Sequence, residues 1–421
     1  MIEARSAHPL ALLHDPGTVR RRCAAILHAV EANVSEHFTI DRSRVPEVAA
    51  RVAALTLERF PDLHIPYHSR WRHFEAGGLD RKPQLDELLA AASVSDAARA
   101  RFDMTVVSVL LDAGAGTAWR YTEAGTGQVL GRSEGLGVAS WQAFLSGAFS
   151  ASASEPLRAD AAALERLDAA ALRAVFQSSP SNPLLGLEGR AGLLARLGVA
   201  LRFEAGKDPA RGLAARPSLI YDRLTAGGTR GEVSATEVLG EVLRTLAPIW
   251  TSGRNVQGLL AGDVWPHRWA GAAVGGGGED PTTGGWVPFH KLSQWLAYSL
   301  VEPLQWAGVQ VTDLNALTAL PEYRNGGLLL DGGVILPRHP RDLQRSWKVA
   351  DDFIIEWRAL TVALIDEVAQ QVRQQLGKTA DELPLACILE GGTWAAGREI
   401  ALELRQDGSP PLKIESDGTI F

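Results

Sequence analysis

The sequence predicts a mainly α-helical fold with a small β component, because three observations agree. Apolar residues recur at three- and four-residue spacing through most of the long segments, the signature of amphipathic helices. Strand-like patterning is confined to short runs near 119–130, after Pro384 and at 412–414. The chain carries neither an internal repeat nor a low-complexity tail.

In chain order, residues 16–35 open on Pro16 and Gly17 and set Val19, Cys23, Ile26, Leu27 and Val30 at helical spacing, and residues 46–60 repeat the pattern. From His64 to Phe74 stand three histidines, two arginines and three aromatics without an amphipathic period, ending at Gly77 and Gly78, so a loop is expected. Residues 83–111 are predicted helical, closing on the apolar run from Val106 to Leu111 just before Asp112, Gly114 and Gly116. The turn Ala124-Gly125-Thr126-Gly127 between aromatic and β-branched residues predicts a hairpin within 117–132. Ser133 stands where a cap would start a helix running to Phe144. Residues 151–203 predict a helical pair joined by a proline loop at Pro180 and Pro183, and 232–250 a helix begun by a capping box of Ser234 and Glu237.

Seven glycines and Pro281 within 270–285 predict a loop, to which a lid role is assigned. Helical spacing returns over 289–308, with Pro303 as an expected kink. The clearest predicted helix is 342–376, where Phe353, Trp357, Leu360, Thr361, Leu364, Ile365 and Val368 share a face and Gly377 takes the C′ position. After Pro384 the pattern is strand-like, and Pro410-Pro411 precede a short β segment at 412–414. The expected organisation is a single large helical domain over 1–421, with an N-terminal helical part (1–105), a central part (106–308) and a C-terminal part (309–421).

The 421 residues are 46% hydrophobic and 22% charged, with 42 basic against 49 acidic side chains and a formal net charge of −7. A chain of this size buries a large core. Its acidic balance lacks the basic footprint of a nucleic-acid binder, and no apolar run approaches the roughly 20 residues that span a bilayer. Neither nucleic acid nor membrane is an expected partner, and without a signal-like stretch a cytoplasmic location is expected. Cys23 and Cys387 alone make neither a disulfide framework nor a zinc site. No phosphate-loop or His-Glu-x-x-His pattern occurs, so nucleotide hydrolysis is disfavoured and neither cofactor nor metal is expected.

Several polar residues stand where chemistry is plausible. Asp112 follows a buried run and precedes two glycines, so its carboxylate either caps the turn or has a partner or task. Glu134 is within reach of a ligand hydroxyl or is an ordinary first-turn helix carboxylate. Glu356 and Arg358 flank Trp357 at the margins of an apolar stripe, where Glu356 either lines a cleft with a raised pKa or pairs structurally. Arg70 and Arg72 offer fork donors suited to carboxylate or phosphate, with His68 and His73 beside them. Glu322 and Arg324 lie in a stretch that reads as a ligand-facing loop ending at Gly326 and Gly327.

Five runs resemble one family: HIPYHSRWRHF at 64–74, SEGLGVAS at 133–140, PFHKLSQWLAYSLVEPLQ at 288–305, EYRNGGL at 322–328 and EGGTWAAGR at 390–398. They resemble the uracil-catabolism protein family of fungi and bacteria, long labelled a domain of unknown function. The resemblance implies a route in which a cyclohydrolase-like partner acts on a uracil ribotide and urea is released. Fainter similarity links Lys291 to Tyr298 with Gly308, and Glu356 to Ala359 with Thr361 and Val362, to the queuosine-salvage N-glycosylases. That likeness implies a helical architecture akin to helix-hairpin-helix glycosylases and cleavage of a base from a ribose phosphate. In that pattern an aspartate precedes the tyrosine matched by Tyr298, whereas this chain has Ala297. Either Glu302, one turn after Tyr298, or a carboxylate from another segment such as Asp112 or Glu356 substitutes, or the chemistry differs.

The expected activity is hydrolysis of the N-ribosidic bond of a ring-opened uracil nucleotide, ribosylurea or its 5′-phosphate. Asp112, Glu302 and Glu356 are the candidate catalytic carboxylates. His68, Arg70, Arg72, His73, Glu134, His290, Lys291, Tyr298, Glu322, Arg324 and Arg358 are the candidate substrate contacts, with Arg70, Arg72, Arg324 and Lys291 assigned to a 5′-phosphate. Two alternatives remain: a metal-dependent amidohydrolase or deaminase using the His64–His73 loop, and a non-catalytic protein that sequesters the intermediate.

Overall fold

The computed structural model describes residues 10–207, 209–250, 255, 256, 258–271 and 283–415. Among them helices dominate, and the strands, none longer than three residues, form six two-stranded pairs. No helix among the described residues is long and apolar enough to cross a membrane. The chain divides into two compact units, and it passes from one to the other at His68/Ser69, near 252, at Gln294/Trp295 and at Thr312/Asp313.

The first unit gathers Met1–His68, Gly253–Gln294 and Asp313–Glu415. Its central helix, Asp352–Leu376, buries Phe353, Ile354, Ile355, Trp357, Leu360, Leu364, Ile365 and Val368. Burying each such side chain contributes roughly 1.5–3 kcal/mol, so this stripe organises the unit. The helices Pro16–Glu31, Val45–Arg59 and Tyr323–Asp331 pack against it. Asp15 caps the first of these through Gly17 and Thr18, with Pro16 in the first turn. Gly377 ends the central helix at φ +63°, the left-handed cap that glycine adopts without strain.

Close helix approach in this unit depends on glycine. A Cβ on Gly326 would lie 2.2 Å from the Trp357 ring, and one on Gly397 would lie 2.1 Å from the Arg324 carbonyl oxygen. The Tyr323–Asp331 and Trp394–Leu404 helices therefore touch backbone to backbone.

The second unit is built from Ser69–Ser252 and Trp295–Thr312. Val94–Leu110 runs through it as a helix wholly buried over Phe102–Leu110, packed on Arg132–Leu145 and Leu187–Gly206. The expected hairpin is present, Tyr121–Thr122 pairing antiparallel with Val129–Leu130. So is the capping box: Ser234 and Glu237 exchange hydrogen bonds at the head of Ala235–Leu246. The β segment after Pro411 is present in the first unit as Lys413–Ile414, parallel to Ser346–Trp347.

Several expectations are corrected. The strand-like stretch after Pro384 is helical, as Leu385–Ile388, a π-turn over Leu389–Thr393 and Trp394–Leu404. A buried apolar run has no polar face to reveal its period. The helix expected from 342 begins at Asp352, after a 3-10 turn at Pro340–Gln344 and the Ser346–Trp347 strand. The loop expected at 322–327 is the start of a helix, because its glycines serve packing rather than turning. Residues 83–111 form two helices, Lys82–Leu88 and Val94–Leu110, the second capped by Ser93. The pair expected over 151–203 is three helices, Ala161–Arg166, Ala169–Val175 and Leu187–Gly206. Lys291–Trp306 runs on through Pro303. Most of the glycine-rich stretch at 270–285 lies outside the described residues.

Candidate active site

In the second unit, the residues just after Val94–Leu110 and those of the Arg70–Gly78 3-10 turn converge on Asp112. Ser69 caps that turn through the Trp71 amide, and Ser299 holds it from the Lys291–Trp306 helix by bonding the Arg70 amide at 2.9 Å. Trp71 Nε1 adds a bond to the Ser299 carbonyl at 3.1 Å. Arg70 is thereby carried into the interior, where its side chain is wholly buried. Its Nη1 donates to Asp112 Oδ1 at 2.8 Å and to His73 Nδ1 at 2.9 Å, while Nε donates to Ser108 Oγ at 2.7 Å. Arginine is only a donor, so Nδ1 of His73 accepts and that ring is held with its proton on Nε2.

Ser133 faces the same carboxylate. Its Oγ lies 2.5 and 2.6 Å from the two Asp112 oxygens, and one hydroxyl proton serves them both. Gly131, not Ser133, occupies the N-cap of Arg132–Leu145, so the expected capping role is replaced by a bond to Asp112. The glycines of SEGLGVAS let this helix approach. A Cβ on Gly137 would stand 2.9 Å from His73 Cβ, and one on Gly135 would meet the Leu130 backbone at 3.0 Å. Ser140 completes the layer with its Oγ 2.6 Å from Ser108 Oγ. Arg190 clamps the chain around Asp112 by donating to the carbonyls of Leu111 at 3.0 Å and Ala113 at 2.7 Å.

Burial works against a charged Asp112, but the Arg70 guanidinium and the Ser133 hydroxyl together hold its carboxyl below the usual carboxylate range. The group is therefore ionised at neutral pH. Its Oδ2 accepts from Ser133 and keeps capacity to accept from a ligand. Such a carboxylate can stabilise positive charge developing on a sugar carbon.

The remaining candidates of this unit are Glu134, Glu302, Arg72 and Tyr298. Glu134 lies close enough for its charge to act on Arg70. Glu302 accepts from Ser69 Oγ and from Arg72 Nη2, each at 2.7 Å, so it anchors the 3-10 turn. Arg72 also pairs with Glu75 at 2.8 Å, and its fork is turned to carboxylates of the protein. Tyr298 is fully buried.

The first unit holds the other candidates in four places. His68 Nδ1 lies 2.8 Å from Glu390 Oε2, and since a carboxylate only accepts, Nδ1 carries a proton and donates it to that bond. Glu390 belongs to the π-turn, a widening of the helix often found at functional sites. The His68 amide bonds the Ala386 carbonyl at 3.0 Å, which fixes the pair. Glu322 caps Tyr323–Asp331 through the amides of Arg324 at 2.7 Å and Asn325 at 2.6 Å. Burial raises its carboxyl above the usual range against those bonds and the charges of Lys291 and His68. Arg324 donates to the Gly408 carbonyl at 3.0 Å.

Arg358 is buried and grips Asp263 with two bonds of 2.8 and 2.6 Å, and Asp263 also accepts from the Lys291 amide at 3.1 Å. His290 Nε2 stands 2.8 Å from the Leu13 carbonyl, a backbone tie rather than a ligand contact. Glu356 is buried too, bonded by the Ser35 hydroxyl with His267 Nε2 at 3.9 Å, and burial pushes its carboxyl up to about 7. His64, His68 and His73 have three different partners, Asp62, Glu390 and Arg70, and no group of three or more ligating residues among the described residues is arranged to hold a metal.

With this geometry described, comparison with known proteins is decisive for kinship. The family described as "Protein of unknown function (DUF1688)" matches residues 12–421. The chain belongs to it. It is 36% identical to Protein urg3 of Schizosaccharomyces pombe, covering 99% of this chain and all of that one. It is 34% identical to Uracil catabolism protein 4 of Lachancea kluyveri, covering 98% of this chain and 99% of that one. In this DUF1688 member the runs HIPYHSRWRHF and SEGLGVAS supply the Asp112 centre, and EGGTWAAGR supplies Glu390 and the Gly397 contact. Sequence reasoning missed Ser299, Ser108 and Glu390 as polar partners, and Trp295 as the ring beside Arg70 and His73. Trp295 and Ser299 read as ordinary helix positions, and only the double glycine after Glu390 hinted at an unusual turn there.

Proposed function

We propose that the protein acts in uracil catabolism as a hydrolase of an N-ribosidic bond, with ribosylurea or its 5′-phosphate as substrate and urea and a ribose species as products. One observation carries the reading: Asp112 is kept ionised in a buried polar centre by Arg70 and Ser133. The names of its relatives support the pathway, and the likeness to queuosine-salvage glycosylases supports the reaction type.

The C1′–N bond breaks with its electron pair passing to the ureido nitrogen, and C1′ gains oxocarbenium character. Asp112 stands beside that carbon and stabilises the charge, as an ionised group in a preorganised site does without reorienting. Water adds its oxygen to C1′, and the proton it loses balances the one gained by the departing nitrogen. His73, neutral and turned by Arg70, lies within the same centre to bind the sugar. The protein works in the cytoplasm beside a cyclohydrolase-like enzyme that supplies the opened pyrimidine.

The test is to incubate purified protein with ribosylurea, with its 5′-phosphate and with enzymatically ring-opened uridine 5′-phosphate, following urea and reducing sugar together. Equal release of both from one compound supports the reading. Release of ammonia without reducing sugar assigns an amidohydrolase instead.

A further inference from the structure

Two buried donors in the Asp112 centre lack an acceptor among the described residues: Arg70 Nη2 and Trp295 Nε1. Arg70 is wholly buried and Trp295 is 7% exposed. They belong together, since the Arg70 guanidinium carbon lies 5.7 Å from the Trp295 ring centre and His73 meets the same ring edge-on at 5.5 Å. Buried N–H groups without partners are rare and costly, because each has given up its bonds to water. Two of them on neighbouring side chains, in a site where Arg70 Nε and Nη1 are both hydrogen-bonded, mark a place for an acceptor supplied by a ligand.

The surroundings select the kind of acceptor. Asp112 is bonded to the same guanidinium, and the charge of Glu134 also acts on it. A phosphate would bring further negative charge beside these carboxylates, and the remaining Nη2 cannot grip it as a fork because Nη1 is committed to Asp112 and His73. A carbonyl oxygen brings no net charge. If N–H groups flank that carbonyl, they donate to Asp112 Oδ2, whose lone pairs are not all used.

We propose that Arg70 Nη2 and Trp295 Nε1 form a subsite for the carbonyl oxygen of an uncharged amide or urea group, with Asp112 accepting from its N–H. The proposal deepens the hydrolase reading and rests on it for the identity of the group that departs. It reassigns Arg70 from phosphate to the leaving group, and any 5′-phosphate is bound elsewhere.

The experiment titrates N-methylurea, and separately inorganic phosphate, into the full chain labelled with 15N-tryptophan, reading the indole N–H resonance that disappears in Trp295→Phe. N-methylurea is expected to shift that resonance at millimolar concentration while phosphate leaves it in place. In Trp295→Phe, which keeps the ring and removes one donor, calorimetry is expected to show about threefold to tenfold weaker binding of ribosylurea. A shift caused by phosphate and not by N-methylurea overturns the proposal, as does unchanged ribosylurea binding in Trp295→Phe. Binding without urea release leaves the subsite standing and removes the hydrolase reading. Release that is insensitive to Trp295→Phe does the reverse.

Discussion

Arg70 Nη1 stands 2.8 Å from Asp112 Oδ1, and the pair joins a 3-10 turn to the end of a buried helix 42 residues later in the chain. With Arg70 wholly buried, the carboxylate is what makes a charged guanidinium tolerable there. Asp112→Ala is expected to destabilise the protein by about 3–5 kcal/mol in urea denaturation, because it leaves that charge uncompensated. Asp112→Asn, which keeps an acceptor, is expected to cost less. Equal stability of Asp112→Ala and the parent would show that the pair does not anchor the site. Since the folded carboxyl lies below its unfolded value, the pair's contribution is present above the unfolded pKa and is lost as pH falls through the folded one.

Glu356 behaves in the opposite sense. Burial raises its carboxyl to about 7, against an ordinary value of 4.5. The folded state therefore binds the proton more tightly, so this residue's contribution is full below the unfolded pKa and declines as pH rises through about 7. Glu356→Gln is expected to flatten that decline, with a gain over the parent of up to about 3 kcal/mol above pH 7. Denaturation midpoints of both proteins at pH 5 and pH 8 check it. A parallel pH dependence in the variant rules out Glu356 as its source.

The touching helices of the first unit make a packing prediction. Gly397→Ala places a methyl group against the Arg324 carbonyl, 2.1 Å from where Cβ would sit. Backbone must move to admit it, at a cost of about 1–3 kcal/mol. Thermal unfolding should show a lowered midpoint, whereas Gly240→Ala, with nothing within 4 Å of the new Cβ, should not be destabilised.

His68 and Glu390 can be tested by spectroscopy. The Glu390 carboxylate holds a proton on Nδ1, whereas Nε2–H alone is the commoner neutral form in solution. Long-range 15N–1H spectra of histidine-labelled protein are expected to show Nδ1–H for His68, changing to Nε2–H in Glu390→Leu. An unprotonated Nδ1 in the parent would contradict the geometry.

The legible parts of the fold were those whose signals are local. The Ser234–Glu237 capping box, the hairpin around Gly125 and the Gly377 cap each depend on a few neighbouring residues, and each stands as the spacing predicts. The stretch after Pro384 was illegible for the opposite reason: Leu385 to Leu389 are all buried, so no polar face betrays a helical period. The glycines of EYRNGGL mislead because the demands they meet are distant, the Trp357 ring for Gly326 and Pro411 for Gly327, and invisible to any local pattern. Asp112 was legible as a carboxylate needing a partner. That the partner is Arg70, and that Ser133 serves it instead of capping a helix, follow only from long-range packing.

The central claim is that the Asp112 carboxylate carries the cleavage. Its most direct test is urea release from ribosylurea by the parent and by Asp112→Asn, with folding of the variant verified by circular dichroism. The account predicts release by the parent, with the variant slower by about a hundredfold or more, as for loss of one preorganised electrostatic group. Equal rates in the two proteins would contradict it.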